Sequence, residues 1–178
     1  IEYSPENLEG LYKCRWKQWD PFGYETGIID LSKPLEEIRR AFDSKWRNQL
    51  KASEKKNLTI KTDFTRFSEI ISIYEASQKE KGYKGIPSSI LFGLMHLEDN
   101  PLHVSYITND SDRIIAFDIF YSTSVFGLYF VGWNDDEGRK LYANNYLLYN
   151  AVMMFKEKRA RWFDLGGIDY INTEDGGQ

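Results

Sequence analysis

The sequence has little of what metal centres and covalent catalysis need. It contains one cysteine, Cys14, and two histidines, His96 and His103, among 178 residues. A single cysteine excludes an internal disulfide, and so few His and Cys residues supply neither a metal-ligand spacing nor a Cys/His nucleophile pair. We therefore expect no bound metal, and any chemistry must use carboxylates, tyrosines, main-chain groups or the substrate itself.

Long hydrophobic runs are also missing. The longest apolar run is far shorter than the roughly 18 residues of a membrane-spanning helix, and no charged and then apolar leader opens the sequence. At 42% hydrophobic and 16% aromatic residues, the chain has ample material for a packed core. We expect a cytoplasmic globular protein with no transmembrane segment.

The two ends of the chain suggest a piece of a longer protein. The first residue is Ile rather than Met, and the last seven, NTEDGGQ, are polar and hold no closing strand or helix. Residues 1–31 are rich in Trp, Tyr and turn formers, and Gly27 to Leu31 is typical of a short strand. We interpret residues 1–31 as the tail of a preceding subdomain, whose sheet lies mostly upstream.

Residues 32–57 are predicted to form a basic connecting helix. Ser32 and Pro34 suit its start, Asn57 suits its end, and a break near Asp43 would divide it into two helices. Its apolar residues recur at helical spacing: Leu35, Ile38, Phe42, Trp46 and Leu50. Residues 33–61 carry nine Lys and Arg against four acids, a local charge of +5 in a chain of net charge −4. This segment is either a solvated helix face or a receptor for phosphate.

Arg47 is the best phosphate candidate in this segment, together with Lys45 and Lys51. Arg47 and Lys51 are i, i+4 neighbours, so one helix face would present a guanidinium fork beside a point charge. The alternative is that all three side chains are solvated.

From residue 58 the pattern predicts the order β, α, α, β, β, β, α, β. A short strand, LTIKTD, precedes a helix over 64–81 that stops at Gly82 and a second helix opened by Pro87. Three strands rich in β-branched and aromatic residues then form an antiparallel meander. A long helix from about Arg139 leads into RWFDLGG, a strand expected to lie parallel to a neighbour. The fold class is α+β, with a mixed, mostly antiparallel sheet flanked by helices.

This order resembles the GNAT acyltransferase fold, in which two neighbouring strands separate beside a long helix. The stretch LYANNYLLYNAVMMFKEKRARWFDLGGID is similar to the FemABX family, the aminoacyl-tRNA-dependent transferases that build peptidoglycan interpeptide bridges. The stretch TGIIDLSKPLEEIRRAFDSKWRNQLKASEKKNLTI resembles the junction between the two GNAT-like subdomains of that family. The resemblance implies that residues 58–178 are a GNAT-like acyltransferase subdomain lacking the closing strands.

The resemblance implies an acyltransferase that uses an amine acceptor, with aminoacyl-tRNA or acyl-CoA as donor substrate and no permanently bound cofactor. Possible acceptors are UDP-linked or lipid-linked cell-wall precursors. The stretch EGRKLYANN has one glycine, Gly138, where CoA enzymes of this fold carry a glycine-rich loop, which favours charged tRNA as the donor. Two alternatives stay open: an acyl-CoA-dependent N-acetyltransferase on an amino sugar or polysaccharide precursor, and a catalytically silent binding module.

The candidate site residues lie on the meander, the long helix and the last strand. Asp118 interrupts an apolar strand, so it is either paired and inert or a carboxylate of raised pKa that accepts an amine proton. Tyr129 is the second catalytic candidate, and it flanks the expected strand separation. The candidate substrate-binding residues, each with a packing or capping alternative, are Trp133, Asn145, Tyr149, Asp164, Gly166 and Gly167.

Overall fold

The computed structural model describes residues 25–168, within which Thr26–Gly166 form one compact unit. The strands are β1 (Glu25–Asp30), β2 (Ile60–Lys61), β3 (Leu102–Thr108), β4 (Ile114–Ser122), β5 (Phe126–Asn134) and β6 (Trp162–Ile168). The helices are α1 (Leu35–Ala41), α2 (Ser44–Ser53), α3 (Phe67–Lys81), α4 (Ser88–Met95), α5 (Asp136–Lys140) and α6 (Ala143–Glu157), and a 3-10 turn, Glu54–Lys56, follows α2.

The strands form one mixed sheet in the order β1-β6-β5-β4-β3-β2. Strands β2 to β5 are an antiparallel series, and β6 returns parallel to β5 after the crossover through α6. The predicted α+β fold with a mostly antiparallel sheet is confirmed. The crossover follows from the helix between β5 and β6, because a strand that returns through a helix lies parallel to its neighbour.

Strand β1 lies on the outer side of β6, in the same sheet. The Leu31 amide donates to the Arg161 carbonyl at 3.0 Å, and the Thr26 hydroxyl donates to the Gly166 carbonyl at 2.8 Å, so β1 and β6 run in opposite directions. The structure thus places β1 in the same sheet as β6. The proposed tail of a preceding subdomain, residues 1–31, and the missing closing strands stay predictions, since residues 1–24 and 169–178 lie outside the described residues.

The basic segment forms two helices, as the break near Asp43 predicted. The Asp43 side chain accepts from the amides of Lys45 at 2.8 Å and Trp46 at 3.3 Å, and so begins α2. Ser32 was expected to cap α1, but its hydroxyl donates to Asp30 at 2.6 Å and Pro34 precedes the helix without a side-chain cap. Asn57, with φ 52°, ends the 3-10 turn in the left-handed region as expected.

The predicted long helix from Arg139 is wrong: it is two helices, α5 and α6, separated at Tyr142, where φ is 54°. Asp135 begins α5 by accepting from the Gly138 amide at 2.8 Å. A Cβ on Gly138 would lie 2.3 Å from the Ile115 carbonyl oxygen, so this glycine lets α5 pack against the backbone of β4.

Helices cover both faces of the sheet. Helices α3 and α4 pack on one face, over Phe117, Ile119 and Val131. On the other face, α6 covers two separate apolar clusters, one around Phe120, Phe155 and Phe163 and the other around Ile115, Ala116 and Leu147. Alternation along β4 places Asp118 on the α6 face, between Ala116 and Phe120. A carboxyl group therefore divides the apolar layer beneath α6.

Candidate functional site: the opening between β5 and β6

The two parallel strands pair only along their first residues. Phe126–Leu128 of β5 is in register with Trp162–Asp164 of β6. Within the described residues no pair follows, although β5 continues to Asn134 and β6 to Ile168. The space between β5 beyond Leu128 and β6 beyond Asp164 is called the opening below. Its presence confirms the predicted separation of strands beside the helix.

On the β6 side, Asp164 and Gly166 form a local bend. The Asp164 carboxylate accepts from the Gly166 amide at 2.8 Å and from the Thr26 hydroxyl. Gly166 has φ 82°, a backbone conformation that favours glycine. Space does not require the glycine, because a Cβ there would lie 3.6 Å from the Tyr129 carbonyl oxygen, an ordinary contact distance. These contacts fit the capping alternative for Asp164. Gly167 is solvent-exposed, and substrate binding by all three residues stays a prediction.

On the β5 side, a bulge at Phe130 shifts the register between β5 and β4. Phe120 is opposite Tyr129 and Ile119 is opposite Val131, which leaves Phe130 without a partner in β4. Tyr129 consequently lies on the α6 face. A Cβ built on Gly132 would be 1.6 Å from the Tyr129 hydroxyl oxygen, so the tyrosine ring extends over this solvent-exposed glycine.

Asp118 and Tyr129 are in contact, as expected for a pair of site residues. The Tyr129 hydroxyl donates to Oδ1 of Asp118 at 3.2 Å, and Asp118 is fully buried. Burial raises the pKa of Asp118 well above its usual value, and the hydrogen bond from Tyr129 opposes this only in part. Burial, followed by the Asp118 charge, also raises the pKa of Tyr129. Burial thus disfavours the charged form of both groups.

Two further residues complete this cluster, and neither was predicted from the sequence. Gly132 is directly opposite Asp118 in the sheet. The Asn144 side chain lies near the Tyr129 hydroxyl and lowers its pKa, and Asn144 Oδ1 is buried without a hydrogen-bond partner among residues 25–168. The signal for Asn144 was present in the sequence, because it precedes Leu147 and Ala151 by three and seven residues and so falls on the buried stripe of α6.

Trp133 is not brought into this cluster. It stacks on Phe117 with ring centroids 5.4 Å apart and planes at 19°, and it packs with the apolar cluster under α3 and α4. Trp133 therefore lies on the face of the sheet opposite to Tyr129. Its predicted substrate contact would have to come from that face.

Asn145 and Tyr149 contact the α1 and α2 helices instead. The Asn145 amide donates to the Gln49 side chain at 3.3 Å. Tyr149 is buried, with the Arg39 guanidinium 5.1 Å from its ring centroid and Phe42 packed edge to face. These contacts fit the packing alternative for both residues.

The three basic candidates have different environments on α2. Nη1 of Arg47 donates to the carbonyls of Arg40 at 2.6 Å and Phe42 at 2.8 Å, where it ties the end of α1 to α2. Lys45 and Lys51 are exposed. Lys45 borders a polar groove of about 420 Å³ lined by Ser44, Lys45, Asn48, Gln49, Ala52 and Tyr142. At least one guanidinium nitrogen of Arg47 is therefore engaged in hydrogen bonds within the protein rather than free to bind phosphate.

Two structural absences apply to residues 25–168. No group of three or more His, Cys, Asp or Glu side chains in this range is arranged to hold a metal ion. None of the helices in the same range has the length and hydropathy needed to cross a membrane.

Solved structures with similar folds include FemX, with a TM-score of 0.73 and 12% identity over 98% of this chain. The C-terminal DUF2156 domain of a putative lysylphosphatidylglycerol synthetase from Agrobacterium fabrum has a TM-score of 0.57 and 14% identity over 81% of the chain. L-PGS from Bacillus licheniformis has a TM-score of 0.54 and 16% identity over 97% of it.

The chain spans 62%, 46% and 54% of those three proteins, in that order. No family model and no curated protein sequence matches the chain. At these identities the likeness is one of fold. The resemblance to the FemABX and GNAT-like acyltransferase fold is therefore confirmed by the architecture.

Proposed function

We propose that this protein transfers an aminoacyl group to an amine, and that the reaction takes place in the opening between β5 and β6. The observation that supports the proposal most strongly is the end of strand pairing after Leu128 and Asp164. Beyond this point the main chain of β5 is not paired with β6 among the described residues. FemX and the lysylphosphatidylglycerol synthetases share this fold, which supports aminoacyl transfer among the reactions open to it.

The reaction needs positioning and charge stabilisation more than side-chain chemistry. An aminoacyl ester is already reactive, so holding an amine nitrogen against its carbonyl carbon supplies much of the rate. As the nitrogen attacks, negative charge develops on the carbonyl oxygen. Its collapse breaks the ester C–O bond, and the released ribose hydroxyl of the tRNA takes the proton that the amine loses. Strand β5 borders the opening, and at the bulge its residue Phe130 has no pairing partner in β4. We assign a main-chain N–H at this bulge as donor to the developing oxyanion.

Charged tRNA is the donor that suits the α5 region better than acyl-CoA. A pyrophosphate commonly binds the free amides of a glycine-rich loop at a helix N-terminus. Here the Gly138 amide is bonded to Asp135, and Gly138 is packed against Ile115. The basic helix α2, through Lys45, Lys51 and the remaining donors of Arg47, is the proposed contact for phosphate of a UDP-linked or lipid-linked cell-wall precursor.

The test is an acyl-transfer assay on the full chain with charged tRNA as donor and UDP-linked or lipid-linked muropeptide as acceptor, read by mass spectrometry. We expect product with charged tRNA and a rate reduced about 10- to 100-fold in Tyr129→Phe, because a positioned hydroxyl is lost. Tyr83→Phe is the matched control, since Tyr83 is exposed on another part of the protein.

The alternatives give different results in the same assay. Transfer from acyl-CoA but not from charged tRNA would replace this proposal with the N-acetyltransferase reading. Absence of transfer from either donor, with a precursor-dependent rise in melting temperature, would favour the silent binding module.

A further inference from the structure

A polar row crosses the sheet beneath α6. Ser105 of β3, Asp118 of β4 and Gly132 of β5 are directly opposite one another in the register. Ser105 and Asp118 are both buried, with 6% and 0% of their surface exposed. This row separates the two apolar clusters under α6, so it replaces side chains that would otherwise join them.

One oxygen of this row lacks a donor. Oδ2 of Asp118 is buried and has no hydrogen-bond partner among residues 25–168. Buried polar atoms are nearly always paired, so an ionised carboxylate would leave a charged oxygen uncompensated here. A proton on Oδ2 would remove that charge.

We propose that Asp118 is a neutral carboxylic acid in the folded protein near pH 7, and that its Oδ1 positions Tyr129 by accepting the tyrosine hydroxyl hydrogen. The positioning of Tyr129 for catalysis rests on the proposed function, because it requires that Tyr129 takes part in aminoacyl transfer. The protonation of Asp118 does not depend on it.

The surroundings of Asp118 favour the neutral form. Ser105 faces it from β3 and Tyr129 and Gly132 face it from β5, while Asn144 of α6 lies near the Tyr129 hydroxyl. None of these side chains is cationic. Burial is the main influence on the Asp118 pKa, and no basic side chain acts on it. An ionised carboxylate in such a place would lack the partner that buried charges require.

The consequence concerns the direction of the tyrosine hydroxyl. Its hydrogen is donated to Oδ1 of Asp118, so towards any further partner its oxygen can act only as an acceptor. The ring extends over exposed Gly132, at the strand that borders the opening. Tyr129 therefore orients the attacking amine by accepting one of its N–H groups, and Asp118 does not touch the substrate.

The direct test is infrared difference spectroscopy of the full chain with carboxyl-labelled aspartate, recorded across neutral and alkaline pH. We expect the C=O band of one protonated aspartate at pH 7 that is absent from Asp118→Asn and retained in Asp110→Asn, a control at an exposed aspartate. A spectrum without a protonated aspartate at pH 7, or a band that survives Asp118→Asn, would overturn the proposal.

The second test compares Asp118→Asn with Asp118→Ala. Asparagine keeps an acceptor for Tyr129 and, like the protonated acid, is neutral, so we expect a melting temperature within about 2 °C of the parent, whereas alanine should lower it clearly. If transfer is observed, Asp118→Asn should slow it by less than about tenfold, while a general base would cost about 10²-fold or more. A loss of that size would return Asp118 to the role of base. The spectroscopic and melting results stand even if no transfer is found.

Discussion

The Tyr129 hydroxyl occupies the space where residue 132 would carry a side chain. A Cβ on Gly132 would be 1.6 Å from that oxygen and 2.8 Å from Oδ1 of Asp118. The bulge at Phe130 brings the two positions together, because it shifts Tyr129 relative to the rest of β5. The glycine is thus part of the site even though it has no side chain.

Gly132→Ala should therefore displace Tyr129 from Asp118. We expect a loss of about 1–3 kcal/mol in the free energy of unfolding, as for other overpacked sites, measured by chemical denaturation. In a Tyr129→Leu background the hydroxyl is gone, and the same substitution should cost clearly less. Equal costs in both backgrounds would show that the tyrosine does not occupy this space.

Gly166→Ala tests whether the bend of β6 sets the opening. Gly166 and Gly82 both have positive φ, 82° and 68°, so alanine should cost about 1–2 kcal/mol at either position. Only Gly166 borders the opening, and Gly82 ends α3. We expect both variants to melt earlier but only Gly166→Ala to reduce transfer. If Gly82→Ala reduced the rate as much, the bend would have no particular role.

Arg47→Ala separates the structural role of this side chain from phosphate binding. Its loss leaves the carbonyls of Arg40 and Phe42 without their donor, so we expect a decrease of about 1–2 kcal/mol in the free energy of unfolding. Lys51→Ala removes an exposed charge from the same helix and should leave the melting temperature unchanged while weakening binding of the UDP-linked precursor. A stable Arg47→Ala protein would contradict the structural role.

His103 predicts a pH dependence of stability. Burial, and then the nearby Lys158 charge, lowers its pKa from 6.5 to about 4, and the Ser122 hydroxyl oxygen lies 2.8 Å from its Nε2. As the pH falls from 6.5 towards 4, the unfolded chain takes up a proton that the folded chain does not, so this residue lowers stability over that window.

The measurement is the free energy of unfolding of the parent and His103→Gln between pH 7 and pH 4. Because carboxyl groups also titrate in acid, the informative quantity is the difference between the two proteins. The parent should lose more stability than the variant, and His96→Gln, at an exposed histidine, is the control. Parallel curves for the parent and His103→Gln would contradict the lowered pKa.

The meander and the crossover could be predicted because their signals are local. Alternating β-branched and aromatic residues mark β3 to β5, and a helix between β5 and β6 leaves a parallel return as the simple connection. The separation at Tyr142 could not be predicted, since LYANN contains neither Gly nor Pro, and a positive φ is unusual for a tyrosine. The position of β1 was also missed, because the sequence of a strand does not show which other strand it will pair with.

The candidate site was predicted unevenly. Asp118 and Tyr129 were identified because a carboxyl in an apolar strand and a tyrosine near the expected separation are visible in the sequence. Their contact depends on a bulge and a glycine, which the strand pattern does not reveal. Arg47 was predicted to bind phosphate from its basic segment and its spacing to Lys51, and Tyr149 was a candidate with packing as the alternative. Their contacts to Phe42 and Arg39 arise only when α1, α2 and α6 pack together.

Because β1 covers the outer edge of β6, a shortened version of this protein should not start at residue 58. Such a truncation would strip the flanking strand from β6 and leave a row of unpaired amides and carbonyls open to intermolecular pairing. Expression trials that retain residues 25–31 should yield monomeric material, and those without them should aggregate.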